Sequence, residues 1–362
     1  MMANFYGNNA NNRIDARSND AVFSYGGDDV VVLNGSNAYI EAGDGNDQVF
    51  IYGNNNTTFG GNGNDYIQIQ GHANNVWVTF AETGNDTLWV QGNYNLLSDT
   101  QGNGTATIYG SWNGYAGWGG NDKIYVYGEH NEVFGDKSAY YAPGPNTIGD
   151  DTILVQGKYN LAHGGGGNDY IQIQGVKNNV YSDAGFDKVN VYGDSNNVLF
   201  TGSVADYDVV NVYGSTNYVQ STTADVLLTN GYNNFIDVVG FTGANKGSVT
   251  AYQAYGGALT NVLSIQNNHQ DIVFTRQGNN LIIGFDDQAG ELTVVNQFAG
   301  NGYGVAALKA NDGYYLSAAD LARVTSALNT YDVANTSVNY SSIAGVKASA
   351  YAEAYIDHAF HV

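Results

Sequence analysis

The chain has 362 residues, with 48 Gly, 2 Pro and no Cys, and its 12 Lys plus Arg stand against 34 Asp plus Glu, a formal net charge of −22. Such acidity repels phosphate backbones, so no nucleic-acid partner is expected, and it suits hard divalent cations that take carboxylate and carbonyl oxygens. The absence of Cys excludes disulfides and thiolate metal sites, while 43% hydrophobic residues and 29 Tyr argue against disorder.

Met1 to Asn12 is polar and Asn-rich, without a charged-then-apolar leader. No apolar run is long enough to cross a bilayer, so no transmembrane segment is expected. A repeat then begins, reading Asp-x-U-x-U-x-Gly-x-x-Asn-x-U with U apolar, followed by a Gly-rich return. Its Gly residues are Gly35, Gly53, Gly71, Gly92, Gly110, Gly128, Gly157, Gly175, Gly193, Gly214 and Gly231, mostly eighteen residues apart. Longer steps read as insertions, and Ser138 to Thr147 holds both prolines. Six residues before these Gly stand Asp29, Asp47, Asp65, Asp86, Asp122, Asp151, Asp169, Asp187, Asp208 and Asp225, with Gly104 as the one departure. Three residues after most of them stand Asn56, Asn74, Asn95, Asn113, Asn131, Asn160, Asn178, Asn196, Asn217 and Asn234.

Between Asp and Gly the apolar residues alternate, as in Val49 and Ile51 or Ile171 and Ile173. Period two marks a strand with one buried face. A second short strand follows each Asn, with Val76, Leu97, Val133 and Val180 inward. Each unit is therefore one coil of two strands and two turns. A single coil cannot bury its inner face, whereas stacked coils can. The expected fold is all-β: a right-handed parallel β-roll (β-solenoid) of about eleven two-strand coils, with a small β plus helix C-terminal cap. Residues 1–240 form the roll, 241–331 the cap and 332–362 a tail.

The turn before the Asp carries the chemistry. Gly60-Gly61-Asn62-Gly63-Asn64-Asp65-Tyr66-Ile67-Gln68 and Gly164 to Gln172 match the nonapeptide G-G-x-G-x-D-x-U-x in full, and Ala42 to Phe50 misses by one residue. Gly reaches positive φ and lets a turn aim its carbonyl oxygens inward, and the Asp adds a carboxylate. These motifs resemble the RTX (haemolysin-type calcium-binding repeat) family. The resemblance implies several Ca2+ ions, each shared between neighbouring turns. The candidate ligands are Asp29, Asp47, Asp65, Asp86, Asp122, Asp151, Asp169, Asp187 and Asp208 with Gly45, Gly61, Gly63, Gly165 and Gly167. The turns of Asp208 and Asp225 lack Gly. The other edge, Gly-x-x-Asn, lacks the Asp and reads as an Asn ladder. Ions are thus expected along one edge only, with a gap at Gly104.

After Asp237 the repeat fades. Asp271 to Ile283, Leu292 to Phe298 and Asn311-Asp312-Gly313 resemble the segment that often follows such repeats, with Asn280 where that pattern has Asp. Ser317 is placed to cap a helix whose Leu321, Val324 and Leu328 recur at helical spacing. The family resemblance implies export by type I secretion through the C-terminal tail, and hence a secreted, extracellular or cell-surface protein.

Outward positions form rows, among them Tyr52, Gln70, Gln91, Tyr109, Tyr127, Gln156, Gln174, Tyr192 and Tyr213. Such rows either stack on themselves or offer a face to a partner chain or a glycan. No H-E-x-x-H, G-x-S-x-G or P-loop is present, and the six His are scattered, so no enzyme is expected. The leading expectation is a self-assembling structural protein of an extracellular layer, filament or biofilm matrix. The alternative is a calcium-dependent adhesin or glycan-binding module. Ice binding would want a repeated outward Thr, and only Thr83 stands beside a Gly-Asn-Asp turn.

Overall fold

A computed structural model describes residues 3–77, 84–99, 102–136, 148–201, 207–222, 226–239, 246–253, 258–285, 288–334, 346, 356 and 359–361. The insertion 138–147, Thr83, Asp225 and most of the tail lie outside these residues. The chain divides into two compact units, Met1–Ala184 and Gly185–Val362. Both are built from coils of a parallel β-solenoid, about twelve turns in all.

In the first unit two parallel sheets alternate along the chain. One holds the strands that follow the Asp turn, such as Gln48–Tyr52, Tyr66–Gln70, Thr87–Gln91 and Thr105–Tyr109. The other holds the strands that follow the Asn turn, such as Asn75–Trp77, Leu96–Ser98 and Gly114–Ala116. Registers put like on like: Val49 pairs with Ile67 and Ile51 with Ile69, and next Leu88 and Val90 take the same places. The alternating aliphatics are buried, with Val31, Leu33, Val49, Ile51, Ile67, Ile69 and Leu97 all at 0% exposure. Each coil thus supplies one layer of a dry core shared with its neighbours.

The Asn turn is bonded from coil to coil. Asn56 Nδ2 donates to Asn74 Oδ1 at 3.0 Å and to Gly35 O at 3.1 Å, and Asn56 N donates to the same Oδ1 at 3.0 Å. Asn74, Asn95, Asn113 and Asn131 repeat this pattern. The amide suits the place because it both donates and accepts, and therefore caps one coil while binding the next. The ladder holds the turn so firmly that non-Gly residues take left-handed φ beside it, among them Tyr94 at 62°, Trp112 at 61° and His130 at 57°.

The second unit continues the coil pattern further than the motif suggests. Lys246–Tyr252 pairs in parallel with Val226–Asn230, and Val262–Ile265 with Phe235–Val239. Asn261 takes the ladder position: Asn234 N donates to its Oδ1, and its Nδ2 donates to Gly231 O. Antiparallel pairing then begins. Ile272–Gln277, Asn280–Phe285 and Gln288–Val294 form a meander, and Ala307–Ala310 turns back on Tyr315–Ser317. The helix Ala318–Ala334 packs on Ile272–Gln277 and Tyr315–Ser317. Its start is capped reciprocally: Asp320 N donates to Ser317 Oγ, and Ser317 N donates to the Asp320 carboxylate. Leu321, Val324 and Leu328 are buried, as their spacing requires.

Replacing Asn95 with Ala should strip a donor from the buried Gly71 carbonyl and the acceptor used by Asn74, destabilising the fold by about 2 kcal/mol. Replacing the outward Gln91 with Ala should change stability by about 0.5 kcal/mol or less. Urea melts of the two variants should separate the roles.

Candidate functional site

The Asp turn is built like the Asn turn, with one difference that carries its chemistry. Each Asp accepts through Oδ1 from the backbone N–H of the row residue one coil earlier. Asp29 N donates to Asp47 at 2.7 Å, Asp47 N to Asp65 at 2.8 Å and Asp65 N to Asp86 at 2.7 Å. Gly104 N donates to Asp122, Asp122 N to Asp151 and Asp151 N to Asp169. In the second unit Asp187 N donates to Asp208 at 2.7 Å. Every one of these carboxylates is 1–2% exposed. Unlike an amide, an ionised carboxylate has nothing to donate to its neighbour. The Oδ2 atoms of Asp29, Asp47, Asp122 and Asp151 are buried and have no hydrogen-bond partner.

Burial pushes these groups up from the usual carboxylate range. Asp47 rises to about 6, chiefly by desolvation and then by the charges of Asp29, Asp28 and Asp44, against the stabilising N–H of Asp29. Asp86 rises to about 6 and Asp151 to about 7, in both cases first through desolvation. Asp122 rises to about 9, through desolvation and then the charges of Asp99 and Asp151. Acids about 5 Å apart repel by about 1–3 kcal/mol per pair at effective dielectrics of 80 to 20, so the row needs a proton or a cation at most of its positions.

The glycines named from the motif lie in these turns. Gly45, Gly61, Gly63, Gly165 and Gly167 hold φ of 140°, 109°, 129°, 110° and 115°. A Cβ on Gly61 would stand 1.8 Å from Gly43 O, and one on Gly63 would stand 1.9 Å from Gly45 O. Glycine is required there by backbone angle and by the carbonyl of the coil before. The residues just before the acids form a second, outer ladder that the motif did not suggest. Asn64 N donates to Asn46 Oδ1, Asn85 N to Asn64 Oδ1, Asn103 N to Asn85 Oδ1 and Asn121 N to Asn103 Oδ1. This ladder leaves the inner Asp as the coil's acidic group facing inward.

A hard cation fits this donor set, which offers carboxylate oxygens without partners and Gly carbonyls in succession and no soft ligand. Among the described residues no three His, Cys, Asp or Glu side chains come together to hold a metal ion. A cation in a repeat turn would therefore draw most of its oxygens from the backbone. Asp136 is a further buried acid that motif reading passed over. Its Oδ2 accepts from Gly149 N at 3.3 Å and Gly166 N at 2.8 Å, and burial lifts it to about 6. Its position beside an insertion hid it from a search by period. Asn280 serves the backbone, accepting from Asn296 N at 2.9 Å.

The aromatic rows face one another along the stack. Tyr109 lies on Tyr127 at 4.8 Å and 11°, and Tyr192 on Tyr213 at 4.9 Å and 5°. Along the Asn turns, Tyr94, Trp112, His130 and Tyr159 form a continuous pile with centroids 6.3, 4.2 and 4.9 Å apart. Ring faces meet ring faces, so mainly edges reach solvent. Beside this pile a groove of ≈ 530 Å³ runs between Trp77, Trp112 and Phe134, with Leu96 and Gly114 in its lining. No family model matches the chain, and no curated protein matches it.

Raised acids bind more protons in the folded chain than in the unfolded one. With no divalent cation, stability should therefore be greatest near pH 4 and fall as pH rises through about 6 to 9. A single carboxylate losing two pH units of preference costs about 2.7 kcal/mol, so Tm in chelator should drop by roughly 10 °C or more from pH 5 to pH 9.

Proposed function

We propose that the chain is a secreted, calcium-stabilised β-solenoid with a structural rather than catalytic role, a subunit of an extracellular layer, filament or matrix. The observation that carries this reading is the buried row of carboxylates whose Oδ2 atoms lack partners at Asp29, Asp47, Asp122 and Asp151, in a row whose Asp65 and Asp169 turns match the nonapeptide in full. Asp29, Asp47, Asp65, Asp86, Asp122, Asp151, Asp169, Asp187 and Asp208 would supply carboxylates. The turns of Gly45, Gly61, Gly63, Gly165 and Gly167 would supply carbonyls. The free energy of binding then becomes free energy of folding. In the calcium-poor cytosol the row is charged and self-repelling; in calcium-rich surroundings it closes. Type I secretion as an unfolded chain suits that order of events.

Self-assembly would draw on strand edges, since an edge strand is a template for pairing with another chain. A second reading, a calcium-dependent glycan-binding module, is favoured by the groove beside Trp77 and Trp112. A glycan array with Trp112→Ala as the control would test it.

Circular dichroism should show mostly unfolded chain in excess chelator at pH 8 and a full β signal at millimolar calcium. A full β signal in chelator at that pH would remove calcium from the account. Light scattering and electron microscopy across the same titration should show sheets or fibres; a strict monomer at high calcium would count against assembly.

A further inference from the structure

The coil of Asp99 to Ala116 departs from its neighbours at four buried places. The acid of the row is replaced by Gly104. Five residues before the acid, the described coils of the first unit carry a small residue at Ser24, Ala42, Gly60, Gly117, Gly164 and Ser182, where this coil has Asp99; in the second unit Phe200 takes the register place. Acid and small residue have exchanged sides of the turn. The Asp99 Oδ2 lies 1.9 Å from where a Cβ on Gly104 would be, so it fills the space that a row Asp leaves. The line of acids is therefore not broken at Gly104, contrary to the gap that the motif suggests.

The other two departures concern the core. Ala106 stands in register with Leu88 and Ile124, and Tyr115 stands in register with Leu97 and Val133. The small Ala106 leaves volume that Tyr115 takes up, and Tyr115 is 2% exposed. Its phenol oxygen has no hydrogen-bond partner. It lies in the combined field of Asp122, Asp99, Asp151 and Asp86. A core that needed only volume would have kept an aliphatic there, as the neighbouring coils do. A phenol oxygen buried without a hydrogen-bond partner is instead available as one more oxygen for something positive. Beside it, Asp122 Oδ2 and Gly135 O both lie 2.0 Å from the place of a Cβ on Gly117, which brings a carbonyl next to a carboxylate.

The geometry points to a further divalent-cation site between this coil and the next, where the Asp99 and Asp122 carboxylates, which both approach the place of a Cβ on Gly104, and the Tyr115 phenol oxygen hold one hard ion of the calcium class, with backbone carbonyls completing its shell. It rests on the calcium reading above for the kind of ion, and it shares Asp122 with the repeat row, but Asp99 and Tyr115 are not ligands of any repeat turn. The Asp99 carboxylate of this coil and the Asp122 carboxylate of the next, which accepts from Gly104 N, together balance the ion's two charges. The competing arrangement is a proton shared among Asp86, Asp99 and Asp122, since Asp86 and Asp99 already share a hydrogen bond.

Ion counting on the full chain decides between them. Equilibrium dialysis against buffered calcium would give the number of ions per chain for wild type, Asp47→Asn, Asp99→Asn and Tyr115→Phe. The site predicts one ion fewer for Asp99→Asn. Tyr115→Phe keeps the volume and should retain the β signal while weakening one ion by about tenfold. It should also lower terbium emission excited through tyrosine. If Asp47→Asn loses an ion while Asp99→Asn and Tyr115→Phe match wild type in count, affinity and emission, the site is overturned and the repeat turns stand. If wild type binds no calcium at all, both readings fall. If Asp99→Asn does not fold, the Tyr115→Phe result alone decides.

Discussion

Within each unit, successive described coils are tied by side-chain oxygens that accept a neighbour's backbone N–H at the bend. A flat turn stacked on an identical turn leaves N–H groups pointing along the axis, where no strand exists to receive them. Two inner rows supply the acceptors, Asn on one edge and Asp on the other. Outer rows do the same for the adjoining residue, as when Asn64 N donates to Asn46 Oδ1. The strands between the bends can stay short because the bends themselves are bonded. The same bonding fixes register, since a coil displaced by one residue would lose several of these acceptors together.

The two edges differ by one atom per coil. Asn carries its own donor, and its Nδ2 closes a bond both to the next Asn and to a Gly carbonyl, as Asn95 does to Asn113 and Gly71. Asp carries a second acceptor instead. One edge is therefore stable on its own terms, and the other is stable only with a proton or a metal. If stability alone mattered, amides on both edges would serve, and the Asn edge shows that this chain builds such a ladder readily. Retaining acids on one edge makes folding conditional on surroundings, the property on which the proposed function rests.

Much of this was legible in the primary structure because a solenoid writes its period directly. The spacing of Gly53, Gly71 and Gly92, with Asp six before and Asn three after, defined strand, turn and inner face for residues such as Ile67, Ile69 and Val76. The Asn ladder was likewise readable, since a polar residue cannot recur inside a bend without a partner. What escaped were features whose partners lie far apart in sequence or whose motif had decayed. The coil containing Asn261 follows a long return, so the period no longer marks it. Asp136 stands next to an insertion. The outer Asn ladder looked like ordinary turn composition, because Asn is favoured there with or without a neighbour.

Asp99 is the instructive case. Read along the chain, Gly104 is a lost acid. Read across the turn, the acid has moved to the opposite side, and three further substitutions make sense only with it. An accidental loss of the row Asp would leave Gly opposite Gly, a void beside the core, and an aliphatic at residue 115. A void of that size would cost about 1 kcal/mol or more, with nothing to gain. The chain instead has a carboxylate in the gap, an Ala where its neighbours have Leu88 and Ile124, and a phenol turned inward. Such mutual fitting is what a charge requirement at this position, added to a volume requirement, would produce, and it supports the proposal that the row as a whole answers to a positive partner.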